Sequence, residues 1–197
     1  MGTRVTAQLT PTAETSPAVA EVPARELSGV QWVAMFPGSS KLEDLLPPFQ
    51  QKVAAFIASI TDAGGNVRVA ATYRPRERAY LMHYCAKISK REVLAPQVPA
   101  MAGVNIEWAH DTEEASRLAA LAMAKAYGIV YPPALVSRHT ERAAVDMAIT
   151  GVQGKVIRMA SGEEVEIKSP GDLHLAGASF GVYKLVSDPP HWSDDGR

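Results

Sequence analysis

Cysteine is almost absent from this chain: Cys85 stands alone among 197 residues. One thiol cannot close an intrachain disulfide, and it rules out a zinc finger built on paired cysteines. It falls in the apolar-patterned stretch from Arg78 to Ile88, where a small buried hydrophobe is the plain reading. Long apolar runs are missing too. No stretch approaches the ~20 residues that a membrane span needs, so no span is expected. An excess of one charge is the third thing lacking. Twenty basic residues oppose 21 acidic ones, for a net charge of −1, and no dense Lys/Arg run occurs. Nothing in that balance marks a nucleic-acid or anionic-membrane surface, so nucleic acid is not an expected partner.

What remains is an ordinary globular composition, 47% hydrophobic and 21% charged, of a length that suits one domain. The first 25 residues are rich in Thr, Ala and Pro and lack the continuous apolar core of a secretory signal. They read as a flexible arm, with the folded domain over residues 26–197.

Leu45 to Asp62 reads as a helix. Pro47 and Pro48 suit its start, Phe49, Val53, Phe56, Ile57 and Ile60 form one apolar stripe, and Gly64-Gly65 stops it. Asn66 to Tyr73 alternates like a strand, with Val67, Val69 and Ala71 on one face. A second helix is expected over Pro75 to Lys90, and a loop over Val93 to Trp108. Asp111 with Glu114 resembles a capping box for a helix ending before Gly128. Beyond Ala143 the signals turn to strands: Ala143 to Ile149, a hairpin of Val156–Met159 with Glu164–Lys168 around Ser161-Gly162, and Gly181 to Val186. Helices first and strands later predict an α+β domain, with a small antiparallel sheet and helices packed on it.

Two stretches carry the chemistry. The first is Ser137-Arg138-His139-Thr140-Glu141-Arg142-Ala143-Ala144-Val145-Asp146. If Ala143 to Ile149 is a strand, Val145, Met147 and Ile149 face one way and Ala144, Asp146 and Ala148 the other. A carboxylate between two alanines describes a hollow. An amphipathic helix with a solvated Asp146 fits the same short pattern equally well. The second stretch is Ser187-Asp188-Pro189-Pro190-His191-Trp192, where two prolines fix the backbone between an acid and a histidine. Taken alone, it also reads as a Pro-rich tail turn.

Together the stretches resemble the zinc peptidases that include D-Ala-D-Ala carboxypeptidases, the dipeptidases of vancomycin resistance and phage L-alanyl-D-glutamate endopeptidases. The pattern of that family is Ser-x-His, an Asp seven residues after the His, a late acidic-x-x-His, and an upstream Tyr-Arg. Here those positions are Ser137, His139, Asp146, Asp188, His191 and Tyr73-Arg74. The resemblance implies Zn2+ held by His139, Asp146 and His191 in a cleft over the sheet. It implies Asp188 as general base and Arg74 as oxyanion or carboxylate partner. Ser137, Trp192, Tyr73 and His174 become candidates for the substrate wall or for support behind the ligands. The implied substrates are peptidoglycan stem peptides, cut at an L-Ala–D-Glu-type bond or trimmed of terminal D-Ala. A cell-wall-binding or phage-tail module with a structural zinc, for which His174 would be the closing fourth ligand, is the reading of another class. With no recognisable signal peptide, delivery to the cell wall by lysis, a phage or a secretion apparatus is expected. One departure is visible: the family has Gly three residues after the first His, and this chain has Arg142. Arg tolerates positive φ poorly, which predicts a differently shaped loop.

Overall fold

Pro47–Asp62 forms α1, as its apolar stripe requires: Phe49, Val53, Phe56 and Ile60 are all buried on one side. The structure is a computed structural model and describes residues 24–197. Besides α1 its helices are α2, Arg76–Ser89, α3, Glu113–Tyr127, and α4, Pro170–Ser179. The described strands are β1, Glu26–Leu27, β2, Asn66–Ala71, β3, Ile106–Glu107, β4, Ala144–Thr150, β5, Val156–Arg158, β6, Glu164–Glu166, β7, Tyr183–Lys184, and β8, His191–Ser193. The fold is α+β, and its main sheet runs β2-β4-β8-β7 with every pairing antiparallel. None of the described helices is long and apolar enough to cross a membrane.

Two apolar cores lie in the domain. One packs α1, α4 and the β5–β6 hairpin on the sheet through Phe56, Val145, Met147, Ile157, Val182 and Trp192. The other joins α2 and α3 through Leu81, Cys85, Ala120 and Met123, with Trp32 inserted from a short 3-10 turn at Val30–Ala34.

Sequence expectations meet the structure unevenly. Val145 and Met147 are buried and Ile149 packs against the same core, so β4 is a strand and not an amphipathic helix. The expected strand Asn66–Tyr73 ends at Ala71, and Tyr73 makes only an isolated bridge with Ser39. Thr112, not Asp111, caps α3: its hydroxyl accepts from the Ala115 N–H. The expected Gly181–Val186 strand shrinks to Tyr183–Lys184, because the chain leaves the sheet to build the turn before β8. The segment Val93–Trp108, expected as loop, contributes β3, which pairs in parallel with β1. Helix α4 and strand β8 were not expected at all. The proposed arm over residues 1–25 falls outside the described residues up to 23. Of the remainder, Ala24 accepts a hydrogen bond from Asn105 and Arg25 pairs with Glu107, so both are tied to the domain.

Candidate metal centre

Register brings the first two candidate ligands together. Asp146 on β4 lies directly opposite His191 on β8, so both side chains leave the same face of the sheet. Their neighbours Val145 and Trp192 point to the other face and fill the core. His139 arrives from the tight turn before β4, where Ala143 N–H donates to Arg138 and Arg142 N–H to the His139 carbonyl.

The three side chains converge. His139 Nε2 lies 3.1 Å from Asp146 Oδ1 and 3.1 Å from His191 Nδ1, and the Asp146–His191 edge is 3.3 Å. Both imidazoles are buried, and the Asp146 side chain is 18% exposed. The outer nitrogens decide the proton positions. His139 Nδ1 faces the Thr72 carbonyl at 3.1 Å, and His191 Nε2 faces the Arg197 carbonyl at 3.0 Å. A carbonyl can only accept, so each outer nitrogen carries the proton. The inner nitrogens are then bare lone pairs, aimed at each other and at a carboxylate.

Three acceptors within 3.3 Å need positive charge between them. One proton would satisfy a single edge, whereas one cation at the centre satisfies all three. For metal–ligand bonds of about 2.0–2.2 Å, a tetrahedral face has edges of about 3.3–3.6 Å, so the cluster, only slightly tighter, could hold a metal ion. Burial opposes ionisation of Asp146, but the adjoining His139 and His191 imidazoles outweigh it and hold the carboxyl far below its usual range. Burial likewise disfavours charge on His191, and Asp146 with the Arg197 carbonyl outweighs it, raising the imidazole pKa.

The cluster opens on a cleft of about 520 Å³ whose lining includes Arg74, Ser137, Leu185 and Asp188. Asp188 is exposed, and its carboxylate makes no hydrogen bond or ion pair among the described residues. Arg74 is half-buried and its guanidinium likewise has no hydrogen-bond partner there. Burial lowers its pKa, with Arg78 adding to that, against the attraction of Asp146 and Asp188. The buried Ser137 hydroxyl oxygen also lacks a partner among the described residues.

Three candidates lie elsewhere. Trp192 is on the core side of β8, against Phe56 at 5.4 Å between ring centroids, so it is no substrate wall. His174 stands on α4 and meets Trp192 edge-on at 5.8 Å, across the sheet from the ligands. It cannot close the site. Tyr73 stacks under the Arg142 guanidinium, 4.4 Å from its ring centre, outside the cleft. His110 shares a hydrogen bond with Ser28 beside the second core, away from the cluster.

Arg142 sits at φ 58°, inside the left-handed region that a glycine would enter freely and that Arg enters at a cost. That cost is about 1–2 kcal/mol, and stacking on Tyr73 offsets it in part.

Some groups at the site carried no sequence signal. Lys184 Nζ donates to the carbonyls of Leu185, Asp188 and His191, and so shapes the turn that presents Asp188. His83 Nδ1 donates to the carbonyl of Pro133, a residue of the cleft lining, at 2.7 Å. No family model matches the chain, and no curated protein matches it in sequence.

Proposed function

We propose that the protein is a zinc-dependent peptidase acting on peptidoglycan stem peptides, cutting an L-Ala–D-Glu-type bond. The observation that carries this reading is the joint placement of a three-ligand cluster and two unpaired charged groups, Asp188 and Arg74, along one cleft. The order Ser137, His139, Asp146, Asp188, His191 supplies the family to compare with.

His139, Asp146 and His191 would hold the metal through Nε2, Oδ1 and Nδ1. Zinc held by three such ligands supplies Lewis acidity and brings the pKa of water at its open position to about 7. Asp188, with a carboxylate free to accept, would take the proton of the attacking water and return it to the leaving amine. Arg74 would stabilise the developing oxyanion or grip a substrate carboxylate with its planar fork. A structural zinc needs neither group, and it needs a fourth protein ligand. His174, across the sheet, is not placed to be one.

The unpaired Arg74 also supports a second reading, a carboxypeptidase or dipeptidase that recognises a terminal D-Ala carboxylate. One digest separates the two. Zinc-loaded protein is incubated with purified peptidoglycan, and the new termini are identified by mass spectrometry. New internal termini, lost with chelator and restored by zinc, are expected. Release of free D-Ala alone favours the second reading, and intact peptidoglycan refutes both.

A further inference from the structure

We infer that the chain reversal at residues 193–197 is a positioning element for the metal centre. It fixes the His191 ring by returning the Arg197 carbonyl to its Nε2–H, and it ties that ligand to the His139 turn through Arg138. The inference rests on the metal reading given above.

The reversal is built from side chains that have no other evident duty. Ser193 shares the face of β8 with His191 and is fully buried. Its hydroxyl oxygen accepts from Gly196 N–H at 2.8 Å and faces Asp195 Oδ1 at 3.3 Å. Asp195 Oδ1 accepts from the Arg197 N–H at 3.0 Å, while Oδ2 takes Arg197 Nε at 2.9 Å and Nη2 at 2.7 Å. Gly196 makes the turn at φ 83°, where a side chain would be strained. The product is a carbonyl set 3.0 Å from His191 Nε2.

Arg138 closes the link to the other ligand. It precedes His139, and its guanidinium pairs with Asp194 and lies 3.5 Å from Asp195 Oδ2. Asp194 N–H also donates to the Ala143 carbonyl at the start of β4. Both histidine ligands are therefore braced against one short segment. Partners behind a ligating imidazole fix its tautomer and orientation, and losing one typically costs about 10–100-fold in metal affinity.

The test measures zinc affinity by competition with a chelator of known affinity, together with melting of the metal-free protein. Asp195→Ala should weaken zinc binding by about 10–100-fold while the metal-free protein melts close to the native chain. Asp195→Asn keeps an oxygen facing Ser193 and Arg197 N–H, so it should recover part of the loss and stay folded. In the cobalt-substituted proteins, a shifted visible spectrum for Asp195→Ala would record the changed ligand geometry. Native affinity in both variants overturns the proposal, as does a lower metal-free melting temperature with affinity unchanged. A native chain that takes up no zinc overturns it together with the metal reading, which separates the two failures.

Discussion

Each imidazole of the ligand cluster is buried and anchored at its outer nitrogen by a backbone carbonyl, whereas the Asp188 carboxylate and the Arg74 guanidinium line the same cleft with no hydrogen bond among the described residues. The floor is over-determined and the rim is left open. That division suits the hydrolase proposed above, because metal affinity depends on ligands fixed before binding, while a proton carrier must exchange partners during turnover. The same contrast separates the faces of the sheet. Trp192 and Val145 pack tightly on one side, and the residues beside them in sequence, His191 and Asp146, look into solvent-accessible space on the other.

Substitutions can break this contrast at either end. His139→Ala and His191→Ala should have the largest effect, reducing zinc uptake by more than the loss of a supporting partner would, as elemental analysis would record. Equal metal content in native and mutant proteins would break the floor's assignment. At the rim, Asp188→Asn should keep zinc and the fold yet lose about 10²–10⁴ in hydrolysis rate. An active Asp188→Asn enzyme would refute the proton-transfer role and leave the metal site standing. The core face is tested at Gly177 on α4, where an added methyl would lie 2.6 Å from Trp192 Cζ3 and 2.8 Å from the Val182 carbonyl. Gly177→Ala should cost about 1–3 kcal/mol in denaturant unfolding, with zinc content unchanged. Loss of zinc at equal stability would place Trp192 in the site after all. Smallest is Arg142→Gly, which relieves strain at φ 58° but gives up the Tyr73 stack and adds freedom to the unfolded chain. It should change stability by about 1 kcal/mol or less, and a larger loss would show that the stack sets the turn.

The grouping of His139, Asp146 and His191 was legible only through the family resemblance, since each stretch taken alone allows another reading and strand pairing is what brings the side chains together. The partners behind it were not. Thr72 and Arg197 act through backbone carbonyls, which every residue owns, so their roles follow from the fold alone. Helix α1 was legible because five apolar residues share one stripe on a long segment. Helix α4 was not, since Gly171 and Gly177 weaken its propensity and it buries only Ala176 and Gly177. Its Ser169–Asp172 capping box is a helix-start signal the stretch carries. Strand β4 was ambiguous locally, and β8 was hidden behind Pro189 and Pro190. Both exist by pairing with distant partners, with Asp146 set against Ala71 on one side and His191 on the other. Trp192 was misassigned because adjacency to a ligand in sequence places a residue on the opposite face of a strand.

The central claim is that His139, Asp146 and His191 hold one zinc ion. Its most direct test is metal analysis of protein saturated with zinc and freed of excess metal, with the His139→Ala protein as reference. One zinc per native chain, and none retained by the variant, is the predicted result. A native chain that retains no metal, or that takes up iron in preference to zinc, would contradict the claim.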